Sequence, residues 1–240
     1  MAPREAAHEP PDAASTQSQA ADAEAVAEWL SDQLTGLDGS ARQRLAEILR
    51  QLGAIDRAVY AAIAAVPAPA LDHAMRRLSH AANHSRLWLG IAAGLALTGG
   101  PGGRRAAARG ILAIGVTSAV VNLGVKSVAA RQRPDRVDAA VPGARQITMP
   151  SSTSFPSGHS AAAFAFATAI SRDNPWLAIA LQFLAGGVAY SRVHTGVHYP
   201  GDTVAGALIG AGTGQIVSAV FDRAVTSRQS AYPVTRPATR

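Results

Sequence analysis

The stretch Phe155-Pro156-Ser157-Gly158-His159-Ser160 joins a turn, a hydroxyl, a glycine and a histidine, and a long uncharged apolar run follows at once. Pro156 and Gly158 mark a tight turn. Ala161 to Ile170 then reads as a helix, which sets Ser157, Gly158 and His159 at its N-terminus. Free backbone N–H groups and the positive end of the helix dipole favour an anion there. Gly158 lets the backbone approach a ligand closely, and His159 exchanges a proton near neutral pH. A helix-end anion site that carries a histidine points to phosphate chemistry. Taken alone, the stretch is equally consistent with a Ser-Gly-His turn that caps a structural helix.

Two further stretches change that balance. Upstream, Lys126 is followed after six residues by Arg133-Pro134; downstream, Ser191-Arg192 is followed by His198 and then Asp202. Lys126 is the one lysine in a chain with 22 Lys and Arg residues. A composition that prefers arginine this strongly, with its exception on a motif position, speaks for a chemical role. In order and spacing the three stretches resemble the signature of the type 2 phosphatidic acid phosphatase (PAP2) superfamily: K-x6-RP, PSGH, then SR-x5-H-x3-D. The resemblance runs roughly from Leu71 to Phe221.

That resemblance implies a phosphatase that works through a phosphohistidine, with no metal and no cofactor. His198 is the expected nucleophile. Asp202 would accept a bond from its other ring nitrogen. His159 would protonate the leaving alkoxide and then activate water. Lys126, Arg133 and Arg192 would surround the phosphate with three cations, and Ser157 and the Gly158 N–H would complete the cradle. Plainer readings stand beside these. Asp202 follows Pro200-Gly201 and could cap the last helix. Arg133-Pro134 could be a helix stop. His194 reads as a local neighbour or substrate contact, Arg131 as a group that steers anions, and Ser152, Thr153 and Ser154 as a polar loop that could line the mouth of the site.

The elements that must position these groups are helical. Only six of the 16 acidic residues lie beyond Ala61, and the apolar blocks between them are nearly free of charge. These blocks are Leu87–Thr98, Gly110–Val125, Ala161–Ile170, Trp176–Tyr190 and Thr203–Phe221. A spanning helix needs about 20 residues, and several blocks are shorter, so soluble core helices are an alternative. The missing charges and the many small residues favour the membrane. If the blocks span, the three motifs fall on one face, and the short turn Arg172-Asp-Asn-Pro175 falls on the other. The expected fold is therefore all-α: a multi-pass transmembrane bundle of the PAP2 type with five to six membrane helices.

Residues 1–39 read as a disordered or amphipathic N-terminal tail, with a short helix around Trp29. Residues 40–70 read as an amphipathic or first membrane helix, with Ser40 and Gln43 as a capping box. Leu45, Ile48, Leu49, Leu52 and Ile55 share one face of it. Residues 71–223 form the expected phosphatase domain, and 224–240 a disordered C-terminal tail. In Leu71–Arg86, His80 and His84 stand one helical turn apart, a spacing that suits a metal. No third ligand is obviously placed beside them, so polar helix surface is the default.

The net charge is +6 and cysteine is absent, so neither disulfides nor thiolate metal sites arise. No nucleic-acid module accompanies the basic balance. Arg104, Arg105, Arg109, Arg172, Arg223 and Arg228 lie away from the motifs, which makes that side cytoplasmic by the positive-inside tendency. The expected setting is the plasma membrane, with the site on the extracytoplasmic face. The expected substrate is a lipid phosphate or diphosphate, such as phosphatidic acid or a polyprenyl phosphate. The alternatives are a vanadate-dependent haloperoxidase-like enzyme, a soluble acid phosphatase of the same superfamily, and a non-catalytic lipid-binding protein.

Overall fold

The computed structural model describes residues 39–129, 131–172 and 174–231. The expected tail and the helix around Trp29 lie outside them. Among the described residues the regular structure is helical throughout: α1 (Gly39–Ala65), α2 (Pro69–Ala81), α3 (Arg86–Thr98), α4 (Gly100–Ala119), α5 (Gly158–Ile170), α6 (Pro175–His194) and α7 (Pro200–Ala231). A π-helical segment, Val120–Val125, extends α4 to a last short turn, Lys126–Val128. The chain is an all-helical bundle, as expected.

Helix α5 occupies the centre and packs against α4, α6 and α7. It is built of small and apolar residues, and Ala161, Ala163, Ala165, Phe166, Ala167, Ala169 and Ile170 are fully enclosed. Its contact with α7 is close because α7 presents Gly206, Gly210 and Gly214 to it. A Cβ at Gly210 would lie 2.1 Å from the Ala161 carbonyl oxygen, and one at Gly206 would lie 2.4 Å from that of Ser157. Small residues spaced four apart are what allow helix backbones to meet inside a membrane. Trp88 of α3 packs on Phe166 on another side of α5, with ring centroids 5.5 Å apart.

Outward surfaces are apolar. Leu97, Leu123, Trp176, Phe183 and Leu208 are each more than two-thirds exposed, a distribution suited to lipid contact. Gly100–Val125, Pro175–His194 and Pro200–Ser227 are long and apolar enough to span, at 26, 20 and 28 residues. The bent pair α1–α2 adds a fourth if it is counted as one span. Among the described residues, length and composition alone thus mark three or four spans, against the five to six expected. Helices α3 and α5 have 13 residues each, about 20 Å at the α-helical rise. Because α5 is enclosed by its neighbours, it need not match the thickness of the bilayer.

Several local expectations change. α1 is already helical at Gly39, so Ser40 lies inside it rather than at a cap, and it accepts a bond from Arg44. The apolar face of α1 points outward, with Ile48, Leu49, Leu52 and Ile55 exposed, whereas Asp56 and Tyr60 are buried against the bundle. α2 ends at Ala81 and a 3-10 turn, Asn83–Ser85, follows, so His80 and His84 do not share a helix. No group of three potential metal ligands occurs among the described residues. α7 continues to Ala231, past the expected end of the domain.

Gly210→Leu is expected to abolish the α5–α7 contact and leave no monodisperse folded protein in detergent. Gly212→Ala, where a Cβ meets nothing within 4 Å, serves as the control and should melt within a few degrees of wild type. Size-exclusion chromatography and a thermal melt read both outcomes.

Candidate functional site

The three motifs meet at one end of the bundle. Ser157 caps α5, and its Oγ accepts from the Ser160 N–H at 3.4 Å. The Ser157 N–H donates to the Asp202 carbonyl at 2.9 Å, which ties the start of α5 to the first turn of α7. Lys126 emerges from the π-helical end of α4 and donates to Ser152 Oγ at 3.2 Å. Arg133 donates to the same hydroxyl at 3.2 Å, to the Ser152 carbonyl at 2.8 Å and to the Val197 carbonyl at 2.7 Å. The 150s loop and the turn before α7 thus hold both cations in place. At the opposite end, Arg109 and Arg172 both bond Asp222, at 2.8 and 3.0 Å. Arg109 is therefore a buried, paired charge within α4.

His198 lies in the turn between α6 and α7 and is almost wholly buried. Its Nε2 faces Arg133 Nη1 at 3.3 Å, and its Nδ1 faces Asp202 Oδ2 at 3.5 Å. A guanidinium only donates, so this arrangement favours a lone pair on Nε2 and a proton on Nδ1. Asp202 holds several partners at once. Its Oδ2 accepts from the Tyr199 N–H at 2.9 Å and from the Ser154 hydroxyl, and its Oδ1 accepts from Arg131 at 2.8 Å. Arg131 also bonds Asp56 of α1 at 2.6 Å and stacks on Tyr199 at 4.3 Å. Asp56 in turn accepts from the Gly201 N–H at 2.7 Å.

Electrostatics set the protonation of the two histidines. Burial pushes His198 down to about 4; Asp202 opposes this, while Arg133 and Arg192 reinforce it. His159 stands at the motif end, ahead of the apolar run of α5. Burial, followed by the charges of Arg192, His198, Lys126 and Arg133, takes it to about 3. Lys126 is held below its ordinary value by burial and by Arg133. Burial and the surrounding cations together keep both imidazoles neutral.

Some expected residues sit differently. Arg192 is buried and donates to Ser79 Oγ of α2 at 2.6 Å, so part of its guanidinium is used structurally. Ser157 spends an acceptor position on its helix. His194 is not a substrate contact: its Nε2 meets Asp72 Oδ1 at 2.8 Å, and Arg145 Nε meets the same oxygen at 2.7 Å. Arg131 acts on Asp202 rather than merely steering anions. Asn83 and Asp56 went unnoticed in the sequence. Asn83 Oδ1 lies 3.0 Å from His159 Nε2, so it accepts from that N–H and leaves Nδ1 as the nitrogen free to act. A lone Asn after a helix and a lone Asp inside one carry no pattern that would single them out.

The sequence model of the PAP2 superfamily matches residues 107–225. A decaprenylphosphoryl-5-phosphoribose phosphatase of Mycolicibacterium smegmatis is 36% identical over 152 residues, which cover 62% of this chain and 77% of that protein. The transmembrane PAP2-type phosphatidylglycerolphosphate phosphatase of Bacillus subtilis superposes with a TM-score of 0.57 at 24% identity, over 72% of this chain and 87% of that one. Aquifex aeolicus LpxE superposes with a TM-score of 0.55 at 26% identity, over 66% and 92%.

Asn83→Ala is expected to lower kcat by about tenfold to a hundredfold, a share of what acid–base help supplies, with KM changed only a few-fold. Asn83→Asp keeps the acceptor and should retain more activity. Steady-state kinetics of the two variants check this; equal losses would reduce Asn83 to packing.

Proposed function

The chain belongs to the PAP2 superfamily and is a membrane phosphatase, and from that premise we propose that it hydrolyses a lipid phosphomonoester through a phosphohistidine at His198. The observation that carries the mechanism is the orientation of His198, with Nε2 toward the cations and Nδ1 toward Asp202. The Nε2 lone pair attacks phosphorus while Lys126, Arg133 and Arg192 hold the non-bridging oxygens, with Ser157 and the Gly158 N–H beside them. Charge stabilisation and positioning dominate such transfers. As the P–N bond forms, His198 gains positive charge, and Asp202 stabilises it through Nδ1–H. The P–O bond to the lipid breaks, and His159 gives its proton to the leaving oxygen. A water that loses its proton to His159 then attacks phosphorus, breaking the P–N bond and releasing phosphate.

The low proton affinity of His159 fits this cycle. Burial is the larger reason that His159 stays neutral, and a phosphate that brings negative charge among three cations offsets the repulsion that adds to it. The proton needed by the leaving group is taken up as the anion binds.

The similarity to a phosphatase named for a decaprenylphosphoryl phosphoribose supports a polyprenyl-linked sugar phosphate as the substrate, ahead of phosphatidic acid. The outward apolar surfaces support a substrate whose tail lies in the bilayer. We assign the site to the extracytoplasmic face of the plasma membrane, since Arg104, Arg105, Arg172 and Arg223 mark the other end. Residues 71–223 are taken as the phosphatase domain. No residue role in this scheme requires a metal.

Phosphate release from a polyprenyl-phosphoryl pentose phosphate, by detergent-purified protein in excess EDTA, tests the reaction. His198→Ala should reduce it at least a thousandfold, on the order of what removing a covalent nucleophile costs. Full activity in that variant, or loss in EDTA restored by a divalent ion, refutes the mechanism. Because His198 is neutral above about 4, the acid limb of kcat/KM that reports the nucleophile should lie near that value, well below an ordinary histidine. A pH–rate profile locates that limb.

A further inference from the structure

Beside the phosphate cradle lies a cavity of about 220 Å³ that reaches Lys126 and His159 but is not lined by His198, Arg133 or Arg192. In an in-line displacement the leaving oxygen departs opposite the nucleophile. A cavity that touches the proposed acid and not the nucleophile is therefore on the leaving-group side. Its remaining polar lining is His84, Ser85, Ser118 and Asn122, set against an apolar wall of Val121 and Ala162. None of these polar groups is a carboxylate. Together the hydroxyls, the amide and the imidazole offer both donors and acceptors.

Two irregular pieces of backbone line the cavity. His84 and Ser85 both adopt left-handed conformations, with φ of 52° and 57°; L-residues other than Asn, Asp and His rarely take them, so Ser85 is the unusual one. The π-helical segment Val120–Val125 carries Asn122, which also lines the cavity. Single π-turns and strained residues concentrate where side chains are aimed for function. The volume falls below the roughly 300–1,000 Å³ of pockets that enclose drug-sized ligands. It suits one small polar ring and not an acyl or prenyl chain. By contrast, the 790 Å³ groove along α6 is lined mainly by apolar groups such as Ile179 and Phe183.

We propose that this cavity is a leaving-group subsite that receives the hydroxyls of a sugar ring attached to the departing oxygen, with Ser85, Ser118 and Asn122 as its hydrogen-bonding groups. The inference rests on the phosphatase reading and refines it: the enzyme selects a lipid-linked sugar phosphate over a glycerolipid phosphate through groups that never touch phosphorus. The apolar wall meets the C–H face of the ring, and the hydroxyl and amide groups meet its edge.

The test compares farnesyl-phosphoryl-ribose 5-phosphate with phosphatidic acid, both in detergent micelles, using the full chain and the variants Asn122→Ala and Ser118→Ala. The expected result is that wild type prefers the sugar phosphate and that each variant lowers the ratio of the two kcat/KM values about three- to tenfold, the worth of one hydrogen bond. The two residues lie on different turns, so a folding failure in one variant leaves the other to decide. Phosphate release with an unchanged ratio in the folded variants overturns the subsite and leaves the phosphatase reading intact. Release from neither lipid by wild type overturns the reaction and the subsite with it.

Discussion

The approach of α5 to α7 is the contact on which the rest depends. Gly206, Gly210 and Gly214 leave no room for a Cβ between the two backbones. That proximity lets the Ser157 N–H reach the Asp202 carbonyl, and so the second and third motifs are joined by main chain rather than by long side chains. A site built on two helices in van der Waals contact has few ways to loosen. The alanines of α5 serve the same end, since they carry no side-chain entropy and occupy little space.

Around this joint, charge is arranged so that each buried ionic group has partners. Asp202 is shared among Arg131, Ser154, Tyr199 and His198. Arg133 is held mostly by carbonyl oxygens, which orient it without neutralising it. That distinction matters for an anion site. A cation paired with a carboxylate is already satisfied, whereas one steered by carbonyls keeps its charge for a ligand. Arg131 belongs to the first kind and Arg133 to the second, although only two positions separate them in the chain.

How much of this could be read from sequence follows from what leaves a pattern. The motif residues have fixed types at fixed spacings, and their convergence at one end followed from alternating apolar blocks. Helix α5 was legible as an apolar run, but its central position was not, because a 13-residue run is equally compatible with a membrane crossing, a soluble core or an enclosed helix. The orientation of α1 was partly legible. Its apolar stripe was evident at helical spacing, but nothing in the pattern said that Asp56, which shares that stripe with Leu49 and Leu52, would be the buried residue. Ser79, Asn83 and Asp56 act through single contacts made across long separations in the chain. Such contacts leave no periodicity, and only the packing of α1 and α2 against the bundle reveals them.

The placement of those three residues bears on where the working unit begins. The recognisable family segment starts at residue 107, yet Asp56 holds the Gly201 N–H and Arg131, Ser79 receives Arg192, and Asn83 receives His159. Each is a fixed point outside the matched segment for a group inside it. The portion that carries the signature is therefore not a portable module. Grafted or expressed from residue 107 onward, it would keep every motif residue and lack the outside partners that orient Arg131, Arg192 and His159.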